Sequence, residues 1–456
     1  MLPWSLNETA ALTGGRVRGD GTKAATGVSI DTRTLKRGDL YVAIRGHRFD
    51  GHAFVQEAVR RGAVGAMVER AIRGAKFPQV VVKDTDRALG DLGRAQRLQW
   101  NGPVVAVTGS AGKTTVKDMA AHLLGGEPTV LKTRGNLNNQ YGLPLTLLGL
   151  NARHKAAVVE LGINHPGEME WLTRVARPDV AVVTNIGLAH IGNFGSRKVL
   201  AREKSGIAAG LNTKGVLVMN VEDTRWVPRK VQEGHAVLTF GMGQGAVQAA
   251  EVRPDGPRTH FTLTAEGEQA STWVALPGGH NVKNALAAVS AVLALGGRVK
   301  PLAWRMRSFR SEAPMRLEMV RKKGVLFVND AYNSSPTSVP AALEAFRQIE
   351  VPGRKCAVLG DMLELGFFSN HAHESALRQA FDERLDFWVL VGPRMGSAFR
   401  KAVPETWVKG VANRRAFHVQ DAQEALLLLK NYLQRGDAVL LKASRGLKLE
   451  SIQEAF

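Results

Sequence analysis

The chain has 456 residues, of which 44% are hydrophobic, and this length suits two or three domains with separate cores. No apolar run approaches the roughly 20 residues needed to cross a bilayer, so we expect a soluble, cytoplasmic protein. The single cysteine, Cys356, excludes an internal disulfide, and its apolar neighbours predict a buried thiol. A net charge of +20 is typical of nucleic-acid binders, but the basic residues are scattered, so we expect no nucleic-acid partner.

Three regions follow one another along the chain. Residues 1–99 contain short strand patterns and one helical pattern, and residues 100–314 mix buried strands with helices. From 315 to 456 the strands "GVLFVND", "CAVLGD", "FWVLVG" and "DAVLLKAS" alternate with helices, two of them expected to begin at Ser338 and His371. This alternation predicts a doubly wound, Rossmann-like parallel sheet whose ligands bind at the carboxyl ends of its strands. We therefore predict three α/β domains: 1–99, 100–314 and 315–456.

A phosphate loop is indicated by "VVAVTGSAGKTT", where a strand over 104–107 precedes a helix expected from Thr114. Backbone N–H groups and a helix N-terminus would converge there on a volume that suits an anion. Lys113 would neutralise phosphate oxygens and the hydroxyl of Thr114 would bind Mg²⁺. Val107 stands where the usual pattern has glycine, so the loop is a variant, and a purely structural glycine turn is the alternative. The expected nucleotide contacts of the loop are Gly109, Ser110, Ala111, Gly112, Lys113, Thr114 and Thr115.

Polar side chains at the ends of two later strands could complete this site. Glu160 ends the strand "AAVVE", and "TNIGLAH" supplies Thr184, Asn185 and His190 after another strand. An acid and an imidazole at neighbouring strand ends can hold hard cations beside phosphates, although each residue alone could be an ordinary loop residue. Lys204, in the helical segment "AREKSGI", would by itself be a solvated charge.

Taken together, these residues resemble the Mur ligase family, ATP-dependent enzymes that add amino acids to UDP-N-acetylmuramoyl peptides. The phosphate loop of that family also lacks the first glycine of the usual pattern. "PGGHNVKNALAA" is similar to its His-Asn-x-x-Asn motif, "PMRLE" to its arginine segment and "NDAYNSSPTS" to its Asp-x-Tyr-Asn segment. "LLKASRGLKLE" is similar to its C-terminal loop and helix. The resemblance covers essentially the whole chain.

Within the family, "GDMLELG" and "GNLNNQYGLPLTLL" resemble the member that adds D-alanyl-D-alanine to the tripeptide. The segments typical of the diaminopimelate-adding and L-alanine-adding members are absent. The resemblance implies that ATP phosphorylates the terminal carboxylate of UDP-N-acetylmuramoyl-tripeptide, and that the amine of D-alanyl-D-alanine then attacks the acyl phosphate. It leaves open whether the third peptide residue is diaminopimelate or lysine, and whether other dipeptides are accepted. We expect a monomer.

The resemblance also implies a role for individual residues. The catalytic set would be Lys113, Lys204, His190 and Asp330. Two Mg²⁺ sites would be held by Thr114, Glu160, His190 and Lys204, with Lys204 carbamylated. ATP would also contact Asn281, Asn284, Arg316 and Asp330. A first substrate segment, for uridine diphosphate, would use Thr32, Arg33, Gly46, Asp50, Gly51 and His52. Further substrate contacts would come from Asn138, Asn139, Thr184, Asn185, Tyr332, Asn333, Ser444 and Arg445.

Two other functions have to be distinguished from this one. A nucleic-acid-dependent ATPase would also contain a phosphate loop and a positive charge. A ligase of the folylpolyglutamate or cyanophycin type would share the ATP site, but its first domain should not resemble a uridine-diphosphate domain. Stimulation of ATP turnover by nucleic acid, or failure to bind UDP-N-acetylmuramic acid compounds, would favour these alternatives.

Overall fold

The computed structural model describes residues 3–46, 49–383, 385–402 and 415–456. Within them, three large sheets follow one another along the chain, and each is flanked by helices. This arrangement confirms the expected class of three α/β units. No helix in the described ranges has the length and apolar character needed to cross a membrane. The exact domain boundaries, 1–99, 100–314 and 315–456, remain our proposal.

The N-terminal unit contains a five-stranded sheet with the order β2-β7-β6-β5-β4, in which β2 runs antiparallel to β7 and the other pairs are parallel. β1 and β3 form a separate antiparallel pair. The strands are β1 (Trp4–Ser5), β2 (Arg16–Arg18), β3 (Ala24–Ala25), β4 (Gly27–Ser29), β5 (Asp39–Val42), β6 (Gly65–Val68) and β7 (Gln79–Val81). The helices are α1 (Leu6–Thr13), α2 (Val55–Arg60) and α3 (Thr85–Trp100), with a 3-10 turn at Gly51–Phe54.

The prediction of one helix in this unit was wrong, because the structure has three: α1, α2 and α3. α1 has eight residues and α2 has six, too few to show a clear 3.6-residue apolar repeat. A capping box stabilises the N-terminus of α1. The hydroxyl of Ser5 accepts from the N–H of Glu8, and the Glu8 carboxylate accepts from the N–H of Ser5.

The central unit contains a nine-stranded sheet with the order β16-β15-β14-β13-β12-β11-β8-β10-β9. Strands β8 to β14 are parallel, and β15 and β16 extend the sheet as antiparallel hairpins. The strands are β8 (Val104–Thr108), β9 (Val130–Lys132), β10 (Ala156–Glu160), β11 (Val180–Val183), β12 (Val216–Asn220), β13 (Ala236–Met242), β14 (Val247–Asp255), β15 (Arg258–Ala265) and β16 (Glu268–Val274).

Helices cover both faces of the central sheet, so its middle strands are completely buried and consist largely of valine and alanine. α4 and α10 pack together on one face in the larger of two cores. The helices are α4 (Lys113–Leu124), α5 (Gly142–Leu147), α6 (Glu168–Ala176), α7 (Ile191–Phe194), α8 (Arg197–Ser205), α9 (Arg229–Glu233), α10 (Gly279–Leu293) and α11 (Val299–Met306). Short 3-10 segments lie at Gly206–Gly210 and Val221–Trp226.

The N-terminal unit contacts the central unit through α3. Gly90 lies directly against the ring of Trp171, and a Cβ atom at Gly93 would lie 2.7 Å from the Cα of Pro144. Only glycine allows the backbones to approach this closely. The buried guanidinium of Arg97, also on α3, pairs with Asp179 at 3.0 Å. These contacts fix the first unit against the sheet that contains the phosphate loop.

The C-terminal unit contains a six-stranded sheet with the order β17-β18-β22-β19-β20-β21. All neighbouring pairs are parallel except β17 with β18. The strands are β17 (Glu318–Lys322), β18 (Val325–Asn329), β19 (Lys355–Gly360), β20 (Phe387–Val391), β21 (Arg415–Val419) and β22 (Ala438–Lys442). The helices are α12 (Ser338–Arg347), α13 (Ser369–Asp382), α14 (Pro393–Ala402), α15 (Ala422–Tyr432) and α16 (Glu450–Ala455), with 3-10 turns at Gly366–Phe368 and Arg445–Leu447.

The doubly wound pattern predicted for this unit is confirmed, with three additions and one shift. The sequence pattern omitted α14 and β21, and the antiparallel edge strand β17. α13 begins at Ser369 rather than His371, because the 3-10 turn before it leads directly into the helix. Cys356 is buried at the start of β19, as expected, and burial raises the pKa of its thiol well above the ordinary value.

Candidate active site

A cavity of about 680 Å³ lies between the central and C-terminal sheets. The carboxyl ends of β8, β10 and β11 reach it from one side, and those of β18 and β22 from the other. Many of the predicted site residues line it: Ser110, Ala111, Gly112, Lys113, Thr115, Asn138, Asn139, Glu160, Thr184, Asn185, His190, Asn281, Asn284, Arg316, Asp330, Tyr332 and Asn333. The structure thus gathers residues that are separated by more than 200 positions in sequence.

The phosphate loop connects the end of β8 to the start of α4. Gly109 and Gly112 have φ angles of +147° and +79°, which residues with a Cβ rarely adopt. A side chain at Gly109 would also overlap the hydroxyl of Thr184. Because Lys113 is the first residue of α4, the N-terminus of that helix opens into the cavity and suits an anion.

Thr184 and Asn185 hold the loop in shape. The hydroxyl of Thr184 donates to the carbonyl of Ala111 at 2.6 Å, and the amide of Asn185 donates to the same oxygen at 2.9 Å. The Asn185 side-chain oxygen accepts from the N–H of Ala111 at 3.0 Å, and the Asn185 carbonyl accepts from Ser110 at 3.0 Å. The polar atoms of this pair, expected to contact substrate, are therefore used to position the loop.

Lys113, Thr114 and Glu160 form the polar centre of the site. The Lys113 ammonium donates to the carbonyl of Gly109 at 2.9 Å, and burial lowers its pKa, a change that the nearby Glu160 opposes. The Thr114 hydroxyl donates to Glu160 at 2.9 Å, and the other Glu160 oxygen accepts from the amide of Asn138 at 2.8 Å. Hydroxyl and carboxylate oxygens suit Mg²⁺, which proteins usually bind through one or two carboxylates together with substrate phosphates. These residues therefore fit a magnesium ion bound with a nucleotide.

Lys204 lies behind the same loop. Its side chain is only 2% exposed, and its ammonium donates to the carbonyl of Gly109 at 3.2 Å. Burial, followed by repulsion from Lys113, lowers the pKa of Lys204 well below its ordinary value. The neighbouring Glu203 carboxylate instead accepts from the N–H groups of Gly167 and Met169, at 2.9 and 3.1 Å. Lys204 is therefore not a solvated helix charge, and its nearest charged neighbour on the loop is another cation.

His190 faces the C-terminal unit. It caps α7 with a φ of +63°, and its Nδ1 contacts the carboxylate of Glu364. The hydrogen bond from His190 holds the pKa of Glu364 below its usual range. The N–H of Gly192 also donates to the carbonyl of Glu364, at 3.2 Å. Sequence reasoning noted the segment that contains Glu364 but assigned no role to this residue.

The side of the cavity formed by α10 contains two asparagines, Asn281 and Asn284. Asn281 donates to the carbonyl of Pro277 at 2.8 Å and accepts from Asn284 at 3.1 Å. His280 precedes them, and burial lowers its pKa to about 4. Nδ1 of His280 is buried without a hydrogen-bond partner in the described part of the protein. His280 lines the cavity together with the two asparagines.

The side of the cavity formed by the C-terminal unit contains a buried lysine that the sequence analysis did not select. Lys442, at the end of β22, pairs with the carboxylate of Asp330 at 2.8 Å and donates to the carbonyl of Asn333 at 2.7 Å. The guanidinium of Arg316 lies 4.3 Å from the ring centre of Tyr332. A lysine in the otherwise apolar strand "AVLLK" was the available signal, since a buried lysine requires a partner.

The predicted uridine-diphosphate residues lie away from this cavity, at the carboxyl edge of β4 and β5. Arg33 is exposed and pairs with Asp31, and the N–H of Gly46 donates to Phe49 at 2.9 Å. Nδ1 of His52 contacts Asp50 at 2.7 Å, and its Nε2 accepts from the N–H of Glu69 at 3.0 Å. Both nitrogens of His52 therefore hold the loop. Thr32 and Gly51 belong to the same two loops, and Gly51 accepts from Tyr41 at 3.1 Å.

Ser444 and Arg445 follow β22 and also make contacts within the protein. The hydroxyl of Ser444 accepts from the N–H of Leu363 at 2.9 Å, and Arg445 pairs with Glu450 at 2.9 Å. The N–H of Met362 donates to His373 at 2.9 Å. The contacts of Ser444 and His373 hold the backbone of Leu363 and Met362, directly before Glu364.

Comparisons with known proteins agree with this geometry. The chain matches the Mur ligase family, catalytic domain, over residues 24–97, the Mur ligase middle domain over 107–292, and the Mur ligase, glutamate ligase domain, over 315–445. A relative named "UDP-N-acetylmuramoyl-tripeptide--D-alanyl-D-alanine ligase" from Bacillus subtilis (strain 168) is 36% identical, over 93% of this chain and 92% of the relative.

Two solved structures extend the comparison. MurF from Acinetobacter baumannii has a TM-score of 0.91 and 34% identity, over 99% of this chain and 98% of the other. MurF ligase from Thermotoga maritima, solved in complex with ADP, has a TM-score of 0.83 and 29% identity, over 94% and 96% of the two chains. The chain therefore belongs to the Mur ligase family of ATP-dependent ligases, and its similarity to the MurF members of that family extends over nearly its whole length.

Proposed function

We propose that this chain joins D-alanyl-D-alanine to UDP-N-acetylmuramoyl-tripeptide with the use of ATP, in the cytoplasmic stage of peptidoglycan precursor synthesis. The names of its full-length relatives support these substrates. The observation that carries the proposal is the shared cavity, where the phosphate loop of the central sheet faces Arg316 and Asp330 from the C-terminal unit. A phosphorylated carboxylate formed at the loop would thus be next to the unit that is proposed to bind the incoming amine.

The proposed chemistry has two steps. A carboxylate oxygen of the tripeptide attacks the γ-phosphorus of ATP, an acyl phosphate forms and ADP leaves. The amine nitrogen of the dipeptide then attacks the acyl carbon, phosphate leaves with the C–O bond electrons, and the nitrogen loses a proton as the amide forms. The activation is needed because a carboxylate is a poor electrophile, and phosphoryl transfer depends mainly on positioning and charge neutralisation.

Lys113 and the N-terminus of α4 would bind and neutralise the phosphate oxygens of ATP. Thr114 and Glu160 would hold Mg²⁺, which when bound supplies positive charge to the transferred phosphoryl group. Asn138 orients Glu160 by its 2.8 Å hydrogen bond. Thr184 and Asn185 keep the loop open around the phosphates through their contacts with Ala111.

We also propose a second Mg²⁺ site at His190 and a carbamate on Lys204. The support for the carbamate is electrostatic: two buried ammonium groups, Lys113 and Lys204, both donate to the carbonyl of Gly109. A neutral Lys204 amine can take up CO₂ and release a proton, which gives an anionic carbamate. The change would replace repulsion from Lys113 with attraction.

The remaining contacts are assigned by their positions. We propose that Asn281 and Asn284 contact the adenine and ribose side of ATP, and that Arg316 and Asp330 act at the hinge. Tyr332, Asn333, Ser444, Arg445, Asn138 and Asn139 would contact the peptide substrates directly or shape their site. The loops after β4 and β5, with Thr32, Arg33, Gly46, Asp50, Gly51 and His52, would bind uridine diphosphate. We propose that the enzyme acts as a monomer.

The test is a matrix of substrates assayed by phosphate release and by mass spectrometry of the product. D-alanyl-D-alanine should support amide formation with UDP-N-acetylmuramoyl-tripeptide, whereas L-alanine, D-glutamate or diaminopimelate should not. A free amino acid that outperforms the dipeptide would refute the assigned acceptor. Activity with folylpolyglutamate substrates, or ATP turnover stimulated by DNA and not by the muropeptide, would refute the substrate class. Parallel assays with lysine and diaminopimelate tripeptides would identify the third residue.

A further inference from the structure

The cavity contains several carboxylates, and their partners distinguish them. The acidic residues that line it in the described part of the chain are Glu160, Glu222, Asp223, Asp330 and Glu364. Glu222 pairs with Lys283 at 2.7 Å, Asp223 with Arg197 at 3.3 Å, and Asp330 with Lys442 at 2.8 Å. Glu160 accepts from Thr114 and Asn138 and belongs to the phosphate side. Asp330 and Glu364 lie on the C-terminal unit, and of the five acids only Glu364 is paired with an imidazole instead of a lysine or arginine.

The position of Glu364 is fixed by the backbone around it. Its own φ is +63°, which is uncommon for a residue with a side chain. On one side the N–H of Leu363 donates to Ser444, and on the other the N–H of Gly192 donates to the Glu364 carbonyl at 3.2 Å. A Cβ atom at Gly192 would lie 2.8 Å from that carbonyl. The carboxylate is nevertheless accessible, since its side chain is 53% exposed.

We propose that the Glu364 carboxylate binds the ammonium group of the incoming dipeptide and places its nitrogen beside the acyl phosphate, where the ammonium releases a proton to water before the resulting amine attacks. This inference rests on the function proposed above. The dipeptide amine has an ordinary pKa of about 7.7 to 8.0, so a large fraction arrives as an ammonium ion and needs an anionic acceptor.

The contact with His190 places the Glu364 carboxylate where the central and C-terminal units meet at the cavity. His190 lies on the central unit, on the same cavity as the phosphate loop, whereas Glu364 lies on the unit proposed to receive the dipeptide. An ammonium bound at Glu364 is therefore at the junction of the two units, next to the site of acyl transfer. The same carboxylate would discriminate against acceptors without a free amine.

The main variant is Glu364→Gln, which keeps the size of the side chain and removes its charge. Glu364→Asp keeps the charge but shortens the side chain. The matched control is Glu374→Gln, because Glu374 lies on α13 outside the cavity and pairs with Lys401. Three quantities are measured for each protein: the KM for D-alanyl-D-alanine, the Ki of the des-amino analogue propionyl-D-alanine, and ADP release with hydroxylamine in place of the dipeptide.

Loss of a charged hydrogen bond should raise the KM of Glu364→Gln by about tenfold to a hundredfold. The Ki of propionyl-D-alanine should change by less than about twofold, because this analogue has no ammonium to lose. Hydroxylamine-dependent ADP release should stay within about threefold of wild type, since the acyl phosphate forms before the dipeptide amine reacts. Glu364→Asp should have an intermediate KM, and Glu374→Gln should match wild type.

Three outcomes would overturn the inference while the proposed function stands. The KM of Glu364→Gln could be unchanged, KM and Ki could rise together, or ADP release with hydroxylamine could fall as much as ligation. The last two would mean that Glu364 only joins the two units or shapes the pocket. If instead wild-type enzyme does not use D-alanyl-D-alanine and yields no hydroxamate, the proposed function itself fails, and this inference fails with it.

Discussion

The guanidinium of Arg316 donates a hydrogen bond to the hydroxyl of Thr114 at 3.1 Å. The same hydroxyl donates a hydrogen bond to Glu160, and Cζ of the guanidinium lies 4.3 Å from the ring centre of Tyr332. One arginine thus links the start of the C-terminal unit to the first turn of α4. The phosphate site is therefore complete only when the two units are in contact.

Replacement of Arg316 should accordingly impair the chemical step. We expect Arg316→Ala to lower kcat/KM by about 10² to 10³, as for the loss of a charged donor at a transferred phosphoryl group. Arg316→Lys should recover only part of this loss, because an ammonium cannot stack on Tyr332 as a planar guanidinium does. Steady-state ADP release measures both. Arg321→Ala, at an exposed position of β17, is the control, and a loss below about tenfold in Arg316→Ala would contradict the role.

Lys113 should be indispensable for ligation. Lys113→Ala removes a charge at the transferred phosphoryl group, which should cost several kcal/mol, or about 10³ in rate or more. Binding of UDP-tripeptide should survive, because the proposed uridine-diphosphate loops lie on another sheet. Ligation assays and a binding titration test the two statements separately, with Lys300→Ala as a surface control. Activity within about tenfold of wild type would refute the assignment of the ATP site.

Lys204→Ala should lose most activity, and acetate at high concentration should partly restore it. The reason is that a small carboxylate can occupy the position vacated by the proposed carbamate. A readout independent of activity is the carbamate carbon signal in NMR spectra of the protein with ¹³C-bicarbonate, which should be absent in Lys204→Ala. A near-normal Lys204→Ala enzyme without a wild-type carbamate signal would refute the modification. Lys198→Ala, on the same helix, is the matched control.

His280 should make the folded protein sensitive to acid. Burial lowers its pKa from 6.5 to about 4, so the unfolded chain takes up a proton that the folded protein resists. The free energy of unfolding should therefore be highest above pH 6.5 and fall by about 1 to 3 kcal/mol as the pH decreases toward 4. Urea unfolding across this range measures it. His280→Asn should flatten the slope, and the exposed His371→Asn should not.

The sequence could predict those parts of the site that are continuous in the chain. The loop from Gly109 to Thr115 lies between a strand and a helix in a recognisable order, so its position at the edge of a sheet followed directly. The partners of Glu364 and Lys442 could not be predicted in this way. Each pairing depends on how two sheets, or two strands far apart in sequence, come together.

Sequence reasoning also could not tell a ligand contact from a contact that supports the loop. Thr184, Asn185, His52 and Ser444 all lie at predicted sites, yet their polar atoms are bonded to protein backbone or to a neighbouring side chain. The same residue types serve both purposes, and only the three-dimensional partners distinguish them. Short helices such as α1 were missed for a different reason, since they depend on capping rather than on periodicity.

The burial of the lone thiol has a practical consequence. Cys356 lies within β19, between two neighbouring strands, and its raised pKa keeps it protonated and unreactive. A thiol reagent can reach it only when the C-terminal sheet opens, because every other residue of the chain lacks a thiol. The rate at which such a reagent labels Cys356 therefore reports how often that sheet opens. Bound nucleotide or dipeptide that stabilises the closed unit should lower this labelling rate.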